Sequence, residues 1–165
     1  GITAHVFRKE IHILDVFRKK LDYPGQRKVL IKRARQFVAK VILIEKAATG
    51  SPLVADLRNM NTPGVPTPIP FLPRGSKVER LSVQTHQIEA GDVRLPQKAE
   101  WLDEFLNEIR AFPFGRHDDQ VDALSQLLAW AERENRHRRS TGVSMPIFFR
   151  IDPPRDDDFG FREGI

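Results

Sequence analysis

An α/β layered domain is the fold class this sequence predicts, and three observations predict it. Strand-like segments come first, and helical and strand-like segments alternate after them. The run Val41-Ile42-Leu43-Ile44 is continuously apolar and β-branched, as a strand buried on both faces requires. Between the extended pieces, apolar residues recur at the spacing of a helix face.

Taken in order, Thr3 to Phe17 reads as two strands around a polar turn at Arg8-Lys9-Glu10. Tyr23-Pro24-Gly25 reads as a loop. Val29, Leu30, Ala34, Phe37 and Val38 then place a helix over Arg27 to Lys40, followed by the strand Val41 to Ile44. Gly50-Ser51-Pro52 opens a helix through Leu53, Val54, Leu57 and Met60, with Pro52 in the first turn, where its missing N–H costs nothing. Residues from Asn61 to Pro73 are Pro-rich and extended, with room for one short strand around Ile69. Val78 to Ala90 is an amphipathic helix closed by Gly91. Val93 to Pro96 is a short extended piece. Ala99 to Ala111 is a helix with Trp101, Leu102, Phe105, Leu106 and Ile109 on one face. The turn Phe112-Pro113-Phe114-Gly115 leads into a last helix from His117 to about Glu134, its apolar face at Val121, Leu124, Leu128 and Trp130. The helical pattern fails after that, so the expected organisation is one domain over 1–135 and a charged, largely disordered tail over 136–165.

Composition excludes several classes. The 165 residues suit one domain with its own core, and 11 phenylalanines give it bulk. With no cysteine there is no disulfide scaffold, thiolate zinc site or cysteine nucleophile, which fits a reducing cytoplasm. No apolar run approaches the roughly 20 residues of a membrane helix, and Gly1-Ile2-Thr3-Ala4-His5 is no signal peptide. Lacking an initiator Met, the chain is expected to begin inside a longer protein. The net charge of +5 favours polyanionic partners. Much of it is clustered at Arg18-Lys19-Lys20, Lys32-Arg33-Arg35 and Arg136-His137-Arg138-Arg139, each readable as a nucleic-acid contact or as a solvated helix face. Phosphate-loop, H-E-x-x-H, G-x-S-x-G and G-x-G-x-x-G motifs are all absent.

Carboxylates stand in two places where a fold would not need them. Glu45 directly follows the apolar strand, at the carboxyl end where open α/β sheets bind ligands. It is either a Mg²⁺ or Mn²⁺ ligand or an ordinary exposed Glu. Asp118, Asp119 and Asp122 lie three and four residues apart, so a helix brings them to one face. Asp118 as cap and Asp119 as complement to the helix dipole would explain two of them. Asp122 lies deeper, beside the apolar face, and a metal ion explains all three. Together with Glu45 they suggest phosphodiester hydrolysis by two ions roughly 3.5–4 Å apart. The catalytic candidates are Glu45, Asp119 and Asp122, the metal candidates are these with Asp118, and His117 is a candidate proton carrier.

The segment from Phe112 to Gln126, FPFGRHDDQVDALSQ, resembles the C-terminal nuclease motif of phage terminase large subunits. Leu14 to Leu21, Ile44 to Gly50, Lys77 to Arg80 and Glu89 to Pro96 resemble other segments of that family in the same order, over about residues 1–132. The resemblance implies an RNase H-like mixed sheet flanked by helices, and Mg²⁺- or Mn²⁺-dependent cleavage of concatemeric double-stranded phage DNA in the host or prophage-bearing cytoplasm. By position, Glu45 matches the acid after the central strand and Asp119 the last metal ligand, with Asp118 and Asp122 ligating or tuning it. Lys77 and Arg80 match positions near the DNA, as phosphate contacts. An ATPase motor domain, a small terminase subunit and the portal are the implied partners. The family's first catalytic aspartate lies upstream of the segment matching Gly1-Ile2, so the first strand is expected to be missing, and Asp15 does not replace that acid. The competing readings are a DNA- or partner-binding fragment without catalysis and another RNase H-like nuclease such as a resolvase.

Overall fold

The computed structural model describes residues 1–46, 50–138 and 145–149, with backbone alone for 50, 51, 137, 138 and 145–149. β1 (Ile2–Phe7) and β2 (Glu10–Val16) form an antiparallel hairpin that turns through Arg8 at φ 55°. The register breaks between Thr3 and Ala4, which pair with Asp15 and Ile13. Leu14 is thereby left over as a bulge and stands 43% exposed. The bulge also resets the alternation of β2, so that Ile11, Ile13 and Val16 all enter one core despite their uneven spacing.

α1 (Tyr23–Gln36) starts earlier than the apolar spacing indicates. Asp22 is its N-cap, accepting the Gly25 N–H at 3.0 Å, and Pro24 sits in the first turn, where its fixed φ suits a helix. The expected loop at Tyr23-Pro24-Gly25 is therefore the first turn of α1. β3 (Val41–Glu45) follows, then α2 (Gly50–Met60), β4 (Ile69–Phe71) and α3 (Lys77–Glu89). Ser76 and Glu79 close a reciprocal capping box at the start of α3, and Gly91 takes φ +72° just after its end, a conformation that only glycine adopts freely. β5 (Val93–Arg94), α4 (Leu102–Ala111) and α5 (Asp119–Arg138) come next, and β6 (Met145–Phe149) is last among the described elements.

All six strands form one mixed sheet in the order β4-β3-β6-β1-β2-β5. Its two faces carry separate cores. Ile42 and Ile44 point to one side, where they pack with Leu30 and Ala34 of α1 and Leu53, Val54 and Leu57 of α2. Leu43, β1 and β2 face the other side, against Phe105 of α4 and Ala123, Leu124, Leu127 and Leu128 of α5. α5 is the innermost helix. Every residue from Gln120 to Leu128 is buried, so it has no solvated face there, whereas the sequence spacing indicates a single apolar stripe. α3 covers its outer side.

The sheet is not short of a central member. β6 lies between β1 and β3, antiparallel to the first and parallel to the second. The disordered tail expected from 136 onward gives way in this part: α5 runs on to Arg138 and Met145–Phe149 join the sheet. Ile147, Phe148 and Phe149 supply the β-forming apolar run, which outweighs the charged surroundings. Pro146 is tolerated because the β3 ladder begins only at Ile147, opposite Val41, so it faces β1 alone. Residues 139–144 and 150–165 lie outside the described residues.

Deleting residues 139–165 should expose two sheet edges where β6 stands. A drop in melting temperature of at least about 10 °C by circular dichroism is expected; an unchanged melting curve would show that β6 contributes nothing to the sheet.

Candidate active site at the start of α5

Two elements converge here because the fold leaves them no alternative. β3 ends at Glu45, at the carboxyl edge of the sheet, and α5 is buried against the same face that Leu43 points to. Glu45 shares the alternation of Leu43 and so meets α5, where its Oε2 accepts a hydrogen bond from Gln126 Nε2 at 2.6 Å. Gln126 is 1% exposed. Asp119, Asp122 and Gln126 stand at i, i+3 and i+7, so they form a single stripe along α5. At 1.5 Å rise per residue, Asp122 lies about 6 Å and Asp119 about 10 Å from Gln126 along the axis.

The acids are held differently. Asp122 is buried and ion-paired to Arg80 of α3, with Lys77 Nζ 3.5 Å from its other oxygen. Lys77 also donates to Asp118 Oδ1 at 2.7 Å. Arg80 donates further to the carbonyl of Gly75 at 2.7 Å, which ties the start of α3 to its own preceding loop. Asp119, the first residue of α5, is half-buried. His117 is exposed. Glu108 of α4 reaches the start of α5, where its two oxygens accept the Gln120 N–H and side-chain amide, each at 2.6 Å. A buried carboxylate from another helix thus satisfies one of the orphan donors of α5.

Among the described residues, no group of three or more His, Asp or Glu side chains is close enough to hold a metal ion. The stripe geometry accounts for this. Glu45 meets α5 two turns beyond Asp119, and Asp122 between them is neutralised by Arg80 and Lys77. The structure brings Asp118, Asp119 and Asp122 to the start of α5 and Glu45 to the same helix two turns further on, without closing them into a ligand cage. Lys77 and Arg80, expected as DNA contacts, are here the counter-charges of the acids. One arginine in each of two basic clusters is likewise engaged: Arg33 pairs with Asp15 and stacks over Phe17, and Arg18 bonds Glu104 at 2.7 Å. Asp15 is thus a strand residue bound to α1, away from the acid stripe. A groove of about 820 Å³ opens on the far side of Arg80, lined among others by Phe71, Arg74, Trp130 and Arg133.

A mixed sheet with helices on both faces and acids at the end of an inner strand and the start of the covering helix defines an RNase H-like domain of the nuclease type. The family model described as the terminase RNaseH-like domain matches residues 5–130, most of the chain. The chain belongs to that family, and it is a terminase nuclease-type domain. No curated protein and no solved structure matches it. No described helix is long and apolar enough to cross a membrane.

Gln126 and Glu108 are the residues that sequence spacing did not single out. Gln126 carries a usable signal, since it stands one heptad after Asp119 on a helix already read as site-bearing. Glu108 carries none, because its role depends on how α4 crosses α5.

Two predictions follow from these contacts. Asp122→Ala should cost about 3 kcal/mol in a urea unfolding series, because it strands the Arg80 charge in a nearly buried position, whereas Asp119→Ala should cost less than about 1 kcal/mol; equal costs would contradict the division between a paired and an available acid. Hydrogen bonds from the Ser76 backbone and side chain hold the Glu79 carboxyl below its ordinary value. Its stabilising contribution is therefore present above the unfolded-state value and lost as pH falls through the lower folded one. Protection of the amides at the start of α3, taken relative to their intrinsic exchange rates, should fall as pH drops below the ordinary carboxyl value of 4.5, and Glu79→Gln should remove that acid-limb dependence.

Proposed function

We propose that the chain cleaves double-stranded DNA by divalent-metal-dependent phosphodiester hydrolysis, as the nuclease part of a packaging machine. The observation that carries the reading is the Gln126–Glu45 hydrogen bond, which aligns the acid of β3 with the acid stripe of α5 in a fold of the terminase family. Mg²⁺ or Mn²⁺, when bound, would neutralise developing charge and activate a water. Glu45 and Asp119 are the proposed ligands, with Asp118 as a third acid shared with Lys77. Lys77 and Arg80 hold the acids in register and offer positive charge to a phosphate once an ion competes for the carboxylates. Gln126 keeps Glu45 on the α5 side of the sheet. Exposed His117, two residues before the first turn, is the proposed proton carrier. The partners in this reading are duplex DNA and, in the assembled machine, an ATPase motor domain, a small subunit and a portal, in the cytoplasm of the infected cell.

A second reading is a binding domain without cleavage. The ion pairs that neutralise Asp118 and Asp122, and the open spacing of the acids, favour it.

Supercoiled plasmid incubated with the chain in Mn²⁺ separates the two. Cleavage should occur with the wild-type chain and fall at least about a hundredfold in Asp119→Ala, in line with the worth of a few kcal/mol of transition-state stabilisation. Salt-sensitive DNA binding without cleavage by either protein would establish the binding domain instead.

A further inference from the structure

The loop between α4 and α5 splits its two phenylalanines. Phe112 is half-buried and anchors the loop, while Phe114 is 96% exposed, more than any other large apolar residue described. The tip is held in place. Phe114 N–H donates to the Ala111 carbonyl at 2.9 Å, closing the turn on the end of α4. Gly115 passes so close that a Cβ there would lie 3.0 Å from Ala111 Cβ and 3.4 Å from the His117 carbonyl. A larger residue would require Ala111 to give way by a few tenths of an ångström. Beyond the tip the chain runs through exposed Arg116 and His117 into Asp118, itself bonded to Lys77.

A ring displayed in this way gains nothing for folding, and its place is informative. Four residues of chain separate Phe114 from Asp118, so their Cα atoms are at most about 14 Å apart. That span covers about four base steps at 3.4 Å each. An apolar side chain beside an exposed arginine, at the edge of a site for a polyanion, has the composition of a wedge that enters the minor groove and parts a base step.

We propose that Phe114 inserts into duplex DNA at a base step within a few base pairs of the phosphate held at the acid stripe, with Arg116 on the adjoining backbone. The inference rests on the DNA-cleaving reading above, and its test separates the two. The full chain is titrated with a 20-base-pair duplex in Ca²⁺ in place of Mg²⁺ or Mn²⁺, so that the acids hold an oxygen-ligated ion while binding is read. Wild-type chain should bind with salt-sensitive affinity and raise the emission of 2-aminopurine placed through the duplex, as a base step opens. Phe114→Ser should bind about tenfold more weakly, the low end of the loss seen when a base–aromatic contact is removed, and should abolish the 2-aminopurine rise while melting like wild type. Phe114→Trp should restore both signals, and its introduced indole should be shielded from acrylamide in the complex. Wild-type binding with Phe114→Ser indistinguishable from it, or an indole that stays accessible at saturation, overturns the wedge and leaves the nuclease reading standing. Failure of the wild-type chain to bind duplex at low salt overturns both.

Discussion

Three carboxylates at the start of a buried helix are the constraint from which the rest of this structure follows. The positive end of the α5 dipole offsets a little of their repulsion. Asp122 lies too deep for that, nearly out of solvent. Arg80 and Lys77 supply the missing charge from α3, and this fixes where α3 must lie across α5. The capping box at Ser76 and Glu79 sets the first turn of α3 from which both cations project. Glu108 of α4 takes up the Gln120 N–H and amide on the other side. Three helices are thus registered by charge and hydrogen bonds at one end, and α4 and α5 also share an apolar core.

The same contacts separate support from chemistry. Asp122, itself buried, is bonded to Arg80 and so holds α3 and α5 together. Asp119 and Glu45, the latter bonded to Gln126, lie at the two ends of the stripe and are the acids proposed to take an ion. A metal bound here, as proposed, would compete with Lys77 for Asp118, which would couple ion binding to the packing of α3 on α5.

Much of the fold was legible in the sequence because it depends on local signals. The apolar run at Val41–Ile44, the polar turn at Arg8-Lys9, Gly91 after α3 and the Pro-rich stretch before β4 each act through backbone preference or burial period. The start of α1 was misplaced because Asp22 and Pro24 read equally as a loop or as a cap with a first-turn proline; only the helix that follows decides. β6 was missed because five apolar residues amid charged neighbours carry little signal, and their strand pairs with segments more than a hundred positions away. The grouping of Asp118, Asp119 and Asp122 at the start of one helix was legible from their spacing. The pairing of Lys77 and Arg80 with Asp118 and Asp122 was not legible, since it is a product of helix crossing.

The proposed hydrolysis requires divalent metal binding at the end of β3 and the start of α5. Mn²⁺ titrated into isotopically labelled chain, read by paramagnetic broadening of amide signals, tests it most directly. Broadening confined to Glu45, the segment Asp118–Asp122 and the adjoining Lys77 is the predicted result. Broadening spread over exposed acids elsewhere, with these signals intact, would contradict it.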